Sequence, residues 1–345
     1  MASPKQHISV SFRLWRPIRV VYERVTLFLK SPWFKGAWPG FKRSADGKPS
    51  FMSLPVDVIL LIVDELPVDA RVLLSSSCRS MRTLLRPTCI SAVHDMSFTG
   101  RRMFLANLAA NLPNTVMCMS CDKIHGIEAR DVPIGTWKFS YRACQPADGL
   151  IDRHDTGPGY QITHKHVQIG AKYARFGANS KHLAALLAPY STADKTYNKL
   201  LRFEYYAQPK VVDGRFLVLS RWCYAPIRDP VSEETLPKFI TFCPHLRTHF
   251  SISLTPVFIN SISLALRSSI QNPGTQIRGG CDRCLTDYAM EFSYDGTLSI
   301  SFWRDFGDGS SLPSADPSWG AHISCTTLTV SHEPGSIRSR YDKSE

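Results

Sequence analysis

No apolar stretch of the sequence is long enough to cross a bilayer. The longest uninterrupted aliphatic run, residues 58–63, has six residues, where a spanning helix needs about twenty, so an integral membrane protein is not expected. Cysteine is sparse as well. Ten in 345 residues falls far below the density of secreted domains stapled by disulfides. No basic-then-apolar leader ending in a small-residue cleavage site opens the chain. The expected setting is therefore intracellular and reducing, in the cytoplasm or nucleus, where spaced cysteines act as metal ligands or core thiols. Gly-rich phosphate loops, a Gly-x-Ser-x-Gly elbow and a His-Glu-x-x-His pair are all missing. Also missing are an aromatic-and-basic RNA-binding signature and C2H2 finger spacing, so no specific nucleic-acid partner is expected.

What is present suits a folded core: 43% hydrophobic and 20% charged residues, with a formal charge of +12. That charge is uneven. Residues 1–50 hold ten Lys or Arg against Glu23 and Asp46, a net +8, and leave only +4 for the rest. The segment is predicted to be a basic, largely disordered tail whose last twenty residues, rich in Pro, Gly and Trp, form an irregular linker. Within it, Val10, Leu14, Ile18, Val21, Val25 and Leu29 recur at helical spacing between arginines. A helix of that kind would lie on an anionic membrane or act as a presequence, and this is the one expected route to membrane contact.

At Phe51 the composition changes. Leu54-Pro55-Val56-Asp57 opens a run in which Val58, Ile59, Ile62, Val63 and Leu66 share one helical face. Pro55 suits a first turn and Pro67 ends the helix. A second helix is predicted from Val68-Asp69-Ala70 through Leu73 and Leu74, and a third over 81–85, closed by Pro87. Three such short helices leave apolar surface for another domain or chain to cover.

Leu54-Pro55, the Ile59-Leu60-Leu61-Ile62 run, Leu66, Asp69, Leu73 and the Ser77-Cys78-Arg79 step resemble an F-box, the three-helix module by which adaptors dock on the Skp subunit of cullin ubiquitin ligases. Met81 stands where many members carry an aromatic residue. Further on, Cys118-Met-Ser-Cys121 with His125, Cys243-Pro-His245, Cys281-Asp-Arg-Cys284-Leu-Thr-Asp287-Tyr288, Trp303-Arg-Asp-Phe-Gly307 and Asp316-Pro-Ser-Trp319 follow in an order similar to that of a group of fungal F-box proteins. The resemblance implies a ubiquitin-ligase adaptor that performs no chemistry and recruits an unnamed protein substrate. It also implies that Leu54, Pro55, Ile59, Ile62, Leu66 and Leu73 bind the Skp partner, through exposed apolar side chains. Three alternatives stay open: an ordinary helical hairpin in a larger fold, a ligase-independent interaction scaffold, and a zinc-dependent enzyme.

The body, residues 91–330, reads as an α+β recognition domain. Helices are predicted over 100–111, 166–176 and 181–188, followed by segments of period two. Asp213-Gly214 breaks one β-rich stretch and Asp295-Gly296 another, each a hairpin signal. The second pair alternates cleanly, which predicts one buried and one wet face. Residues 331–345 read as a frayed tail. The expected fold class is thus α+β, a small F-box followed by a mixed helix and β-hairpin domain stabilised by zinc.

Two Cys-x-x-Cys pairs carry the sharpest chemical signal, because such a knuckle offers two thiolates to one tetrahedral metal. Cys281 and Cys284 are matched upstream by Cys243 and His245, a predicted Cys3His zinc site. Cys118 and Cys121, with His125 and Cys144, form a second and weaker set. One site built from both knuckles, inert core thiols and redox chemistry are the competing readings. Asp305, Asp308 and Asp316 do not match a calcium loop, and His164 and His166 read as a helix start or a satisfied polar contact.

Overall fold

The computed structural model describes residues 51, 54–112, 114–118, 121–129, 131–133, 153–157, 160–177, 180–192, 195–197, 200–228, 231–232, 234–237, 240–248, 261–309, 312, 316–323 and 329–343. The expectations for residues 1–50 and for Cys144 lie outside these. The chain divides into two compact units, Met1–Arg101 and Arg102–Glu345. Among the described residues, no helix is long and apolar enough to cross a membrane.

In the first unit α1 (Val56–Asp64), α2 (Val68–Ser77) and α3 (Arg79–His94) follow one another with almost no linker. Pro55 and Pro67 stand immediately before α1 and α2, where a missing N–H costs nothing. Cys78 opens α3, its sulfur accepting the Met81 N–H at 3.5 Å. Arg71 reaches back to the end of α1, donating to the carbonyls of Leu66 at 2.7 Å and Asp64 at 2.6 Å, which a helix C-terminus otherwise leaves unpaired. Leu54, Ile59, Val63, Met81, Leu85 and Cys89 form the core.

Two expectations are corrected here. The third helix does not close at Pro87 but runs sixteen residues with the proline inside it. Pro87 is on the exposed side, while Met81, Leu85 and Cys89 continue one buried stripe. Their burial offsets a proline penalty of about 3 kcal/mol. Nor are the expected docking residues all exposed: Leu54, Ile59 and Leu66 are buried, and Pro55, Ile62 and Leu73 are half-buried. The exposed large apolar side chains of α1 to α3 are instead Val56 at 52%, Leu61 at 67% and Ile90 at 59%.

The division between units falls within α4 (Phe98–Asn111). Two small antiparallel pairs follow, β1 (Thr115–Cys118) with β2 (Lys123–Gly126), and β3 (Arg153–Gly157) with β4 (Tyr160–Thr163). Then come α5 (His164–Phe176) and α6 (Ser180–Leu186). The main sheet comprises β5 (Tyr190–Ser191), β6 (Lys195–Tyr197), β7 (Leu201–Val212) and β8 (Arg215–Pro226), then, after α7 (Ser261–Gln271), β9 (Gln276–Gly280), β10 (Thr286–Phe292) and β11 (Leu298–Asp305). Its order is β5-β7-β8-β11-β10-β9, with β6 also paired to β7, and its pairs are antiparallel. Two short helices close the unit, α8 (Pro317–Ile323) and α9 (Ser336–Asp342). Mixed helices and antiparallel sheets are the α+β class.

Both hairpins form where Asp-Gly predicts them. Asp213 and Gly214 take positive φ of 52° and 74° between the paired Val212 and Arg215, as the tight primed turns require. His166 caps the start of α5. Its Nδ1 accepts the Thr163 N–H at 3.1 Å, and burial lowers its pKa to about 3, so the ring is neutral. Gly170 is where α5 comes closest to the sheet: a Cβ there would lie 2.6 Å from the Phe216 ring. Gly170→Val is therefore expected to cost about 1–3 kcal/mol by overpacking, read as a drop in the thermal midpoint, and an unchanged midpoint would contradict the close packing.

The wet face predicted for β10 and β11 is mostly covered. Even-numbered side chains of β11 (Leu298, Ile300, Phe302) enter the larger core. On the opposite face Leu217, Leu219, Leu285, Ala289 and Trp303 pack with Ile337 and Tyr341 of α9. Residues 331–345 are thus no frayed tail over their described part. Two buried carboxylates fasten the segment. Asp287 accepts the N–H of Gly335 and of Arg338 and contacts His332 Nε2, each at 2.9 Å. Asp305 receives Arg215 at 2.7 Å and Arg340 at 2.8 Å.

Candidate metal centre

Cys281 directly follows β9 and Cys284 lies just before β10, so the first knuckle is a strand-to-strand turn. The Cys281 N–H donates to the Thr286 carbonyl at 2.8 Å, the Thr286 N–H to the Cys284 carbonyl at 2.7 Å, and the Arg283 N–H to the Cys281 sulfur at 3.4 Å. Gly279 and Gly280 are strand residues. Their lack of a side chain makes room for the Tyr288 ring and for Asp287 and His332.

The opposing ligands come from a tight loop. Phe242 donates to Leu246 O at 2.9 Å, Leu246 to Cys243 O at 3.3 Å, and Thr248 to Ile240 O at 2.9 Å. This folds Cys243-Pro-His245 into a bend whose Cys243 sulfur lies 3.7 Å from that of Cys281 and 3.9 Å from His245 Nδ1. The ligand atoms of Cys243, His245, Cys281 and Cys284 all lie within 4.8 Å of one another. Zn–S bonds of about 2.3 Å in a tetrahedron need sulfurs about 3.5–4 Å apart, which the Cys243–Cys281 distance meets. The three cysteines are buried and His245 is half-buried.

Sharing hydrogen bonds among three adjacent sulfurs splits their acidities. Bonds donated by Cys243 and Cys284 lower the Cys281 thiol to about 2, while its bond to Cys281 pushes Cys243 up to about 12. Hydrogen bonds to Cys243 and Cys281 also raise Cys284. Cys281 is therefore the first thiolate offered to a cation. Metal binding must displace protons from the other two, so affinity falls as pH falls.

Cys118, Cys121 and His125 form a second group with ligand atoms within 4.8 Å. Cys118 ends β1, Cys121 lies in the turn and His125 sits on β2, its Nε2 at 2.9 Å from the Cys121 sulfur. Arg102 of α4 holds that turn through Asp122 at 2.6 Å. Each Cys-x-x-Cys pair thus has its own group, which sets aside the single-site reading. Both pairs lie between strands and neither opens a helix, so the helix terminus that activates a redox dithiol is absent at both. No disulfide joins the described cysteines. Comparison with protein-family models, curated proteins and solved structures finds no match to this chain.

The sequence reading missed two neighbours of the centre. Thr286 brings its hydroxyl to 3.2 Å from the Cys284 sulfur. Arg304 lies opposite Thr286 on β11, fully buried. Its signal was legible, since Leu298, Ile300, Phe302 and Arg304 share one face at period two, and that places a guanidinium on the apolar side.

Proposed function

We propose that the chain is an F-box-type substrate adaptor acting inside the cell. Its helical unit docks on the Skp subunit of a cullin ubiquitin ligase, and its α+β unit, organised by zinc at Cys243, His245, Cys281 and Cys284, holds a protein target. It performs no chemistry of its own. Four protein ligands fill a tetrahedral zinc and leave no position for a reactive water, which makes the metal's role structural. The observation that carries the docking half is the separate three-helix unit, closed by its own small core yet exposing Val56 and Leu61 on α1.

Co-purification with the Skp subunit tests this. A Val56→Asp, Leu61→Asp chain keeps the buried core residues, so its thermal transition is expected to stay nearly unchanged. Losing a central interface anchor costs about 2 kcal/mol or more, roughly thirtyfold in affinity, and capture by the variant should fall at least that far. Undiminished capture by the variant, or none by the native chain, would sink the adaptor reading.

A further inference from the structure

Arg304 is 1% exposed, and its Nε and both terminal nitrogens have no hydrogen-bond partner among the described residues. A guanidinium carries five donors and stays charged under all ordinary conditions. Burying one unpaired is among the most expensive things a fold does. Carboxylates that would serve are engaged elsewhere. Asp305, the next residue, takes Arg215 and Arg340. Asp316 takes the N–H groups of Ser318 and Trp319 and the ring of His164. The Arg304 side chain lies over the Phe302 ring at 4.5 Å, and Phe302 in turn contacts Phe242, the neighbour of Cys243. Across the sheet it pairs with Thr286, whose hydroxyl touches the Cys284 sulfur. Burial opposes its charge, and the groups that favour it are the Tyr205 hydroxyl and the thiols of Cys243 and Cys284.

Charge counting completes the argument. Three thiolates and a neutral imidazole around a divalent ion leave a net charge of −1 on the centre. Beside this centre sits one buried cation with no hydrogen-bonded carboxylate among the described residues. We propose that Arg304 is the built-in counter-ion of the Cys3His centre, so that the metal-loaded core is electrically neutral. This rests on the zinc reading given above. It adds a selection rule: the site is matched to a divalent ion with three thiolates and one histidine, and a ligand set with one thiolate fewer would leave Arg304 uncompensated. Arg304 acts through the ligands, as a positioning and charge-matching residue.

The test is competition of the full-length chain against a zinc-binding chromophore, with zinc content measured alongside. Partners outside the coordination shell typically change metal affinity by about 10–100-fold. Arg304→Met is expected to weaken zinc retention by that factor, and Arg304→Lys, which keeps the charge, to fall between it and the native chain. Converting the centre to a neutral two-thiolate, two-histidine set in the Arg304→Met, Cys243→His double variant is expected to restore much of the loss. Equal zinc retention by Arg304→Met and the native chain overturns the inference, as does a Lys variant as weak as the Met one. If Arg304→Met fails to fold even with zinc bound, the Lys variant decides on the same terms. A native chain that binds no zinc overturns the metal reading itself, a result distinct from zinc that binds but ignores Arg304.

Discussion

Cys281→Ser together with Cys284→Ser is expected to release the metal and melt the α+β unit at a far lower temperature than the native chain. Both thiols lie in the knuckle between β9 and β10, facing the Cys243 loop. Without a shared ion, the two segments are joined through 37 intervening residues of chain, the Cys243–Cys281 contact and the packing of Phe242 on Tyr288 and Phe302. Structural zinc contributes on the order of 10 kcal/mol in isolated finger peptides, and a domain's whole stability is roughly 5–15 kcal/mol. Even a fraction of the peptide value is decisive. The helical unit contains none of these ligands, so capture of the Skp partner should persist in the same variant. Calorimetry on native and double-variant chains separates the two outcomes, and an unchanged upper transition would show that the loop and knuckle need no metal.

Deletion of residues 331–345 is expected to be nearly as damaging, although the sequence marks them as an expendable tail. Ile337 and Tyr341 are buried against Leu217, Leu219, Ala289 and Trp303, and each such burial is worth about 1.5–3 kcal/mol. The deletion also strips Asp287 of His332, Gly335 and Arg338, and Asp305 of Arg340. Breaking a buried charge pair costs roughly 3–5 kcal/mol. Burial works to raise the Asp287 pKa, but bonds from His332 and from the N–H groups of Arg338 and Gly335 hold it below the usual carboxylate range. The sign follows directly. A carboxyl with a lowered pKa in the fold stabilises it above the unfolded value, and that contribution is lost as pH falls through the folded one. The native chain should lose this stability in acid, and the truncated chain should lack it at every pH. A truncated chain that melts like the native one would contradict the clasp. Ile337→Ala, expected to cost about 2–5 kcal/mol, gives a milder version.

Local chemistry made much of this legible in advance. Pro55 and Pro67 set the starts of α1 and α2, Asp213-Gly214 set the longest hairpin, and the grouping of Cys243, His245, Cys281 and Cys284 was readable from spacing alone. Where the reading failed, the deciding contact is distant in sequence. Pro87 stays helical because Met81, Leu85 and Cys89 pack on α1. The alternation of β10 and β11 promised a wet face because nothing local reveals that α9 covers it. Leu54, Ile59 and Leu66 match a docking motif, yet the same side chains are needed inside so small a unit. Strand alternation alone puts Arg304 on the apolar face, but its place beside the thiols follows from a register that sets it opposite Thr286.

Zinc-edge X-ray absorption on the purified full-length chain, with elemental analysis, tests the metal-centred account most directly. The account predicts at least one zinc per chain, with about three sulfurs near 2.3 Å and one nitrogen near 2.0–2.1 Å for each ion. Absence of zinc under non-chelating conditions, or a shell of light atoms with an open water position, would contradict it.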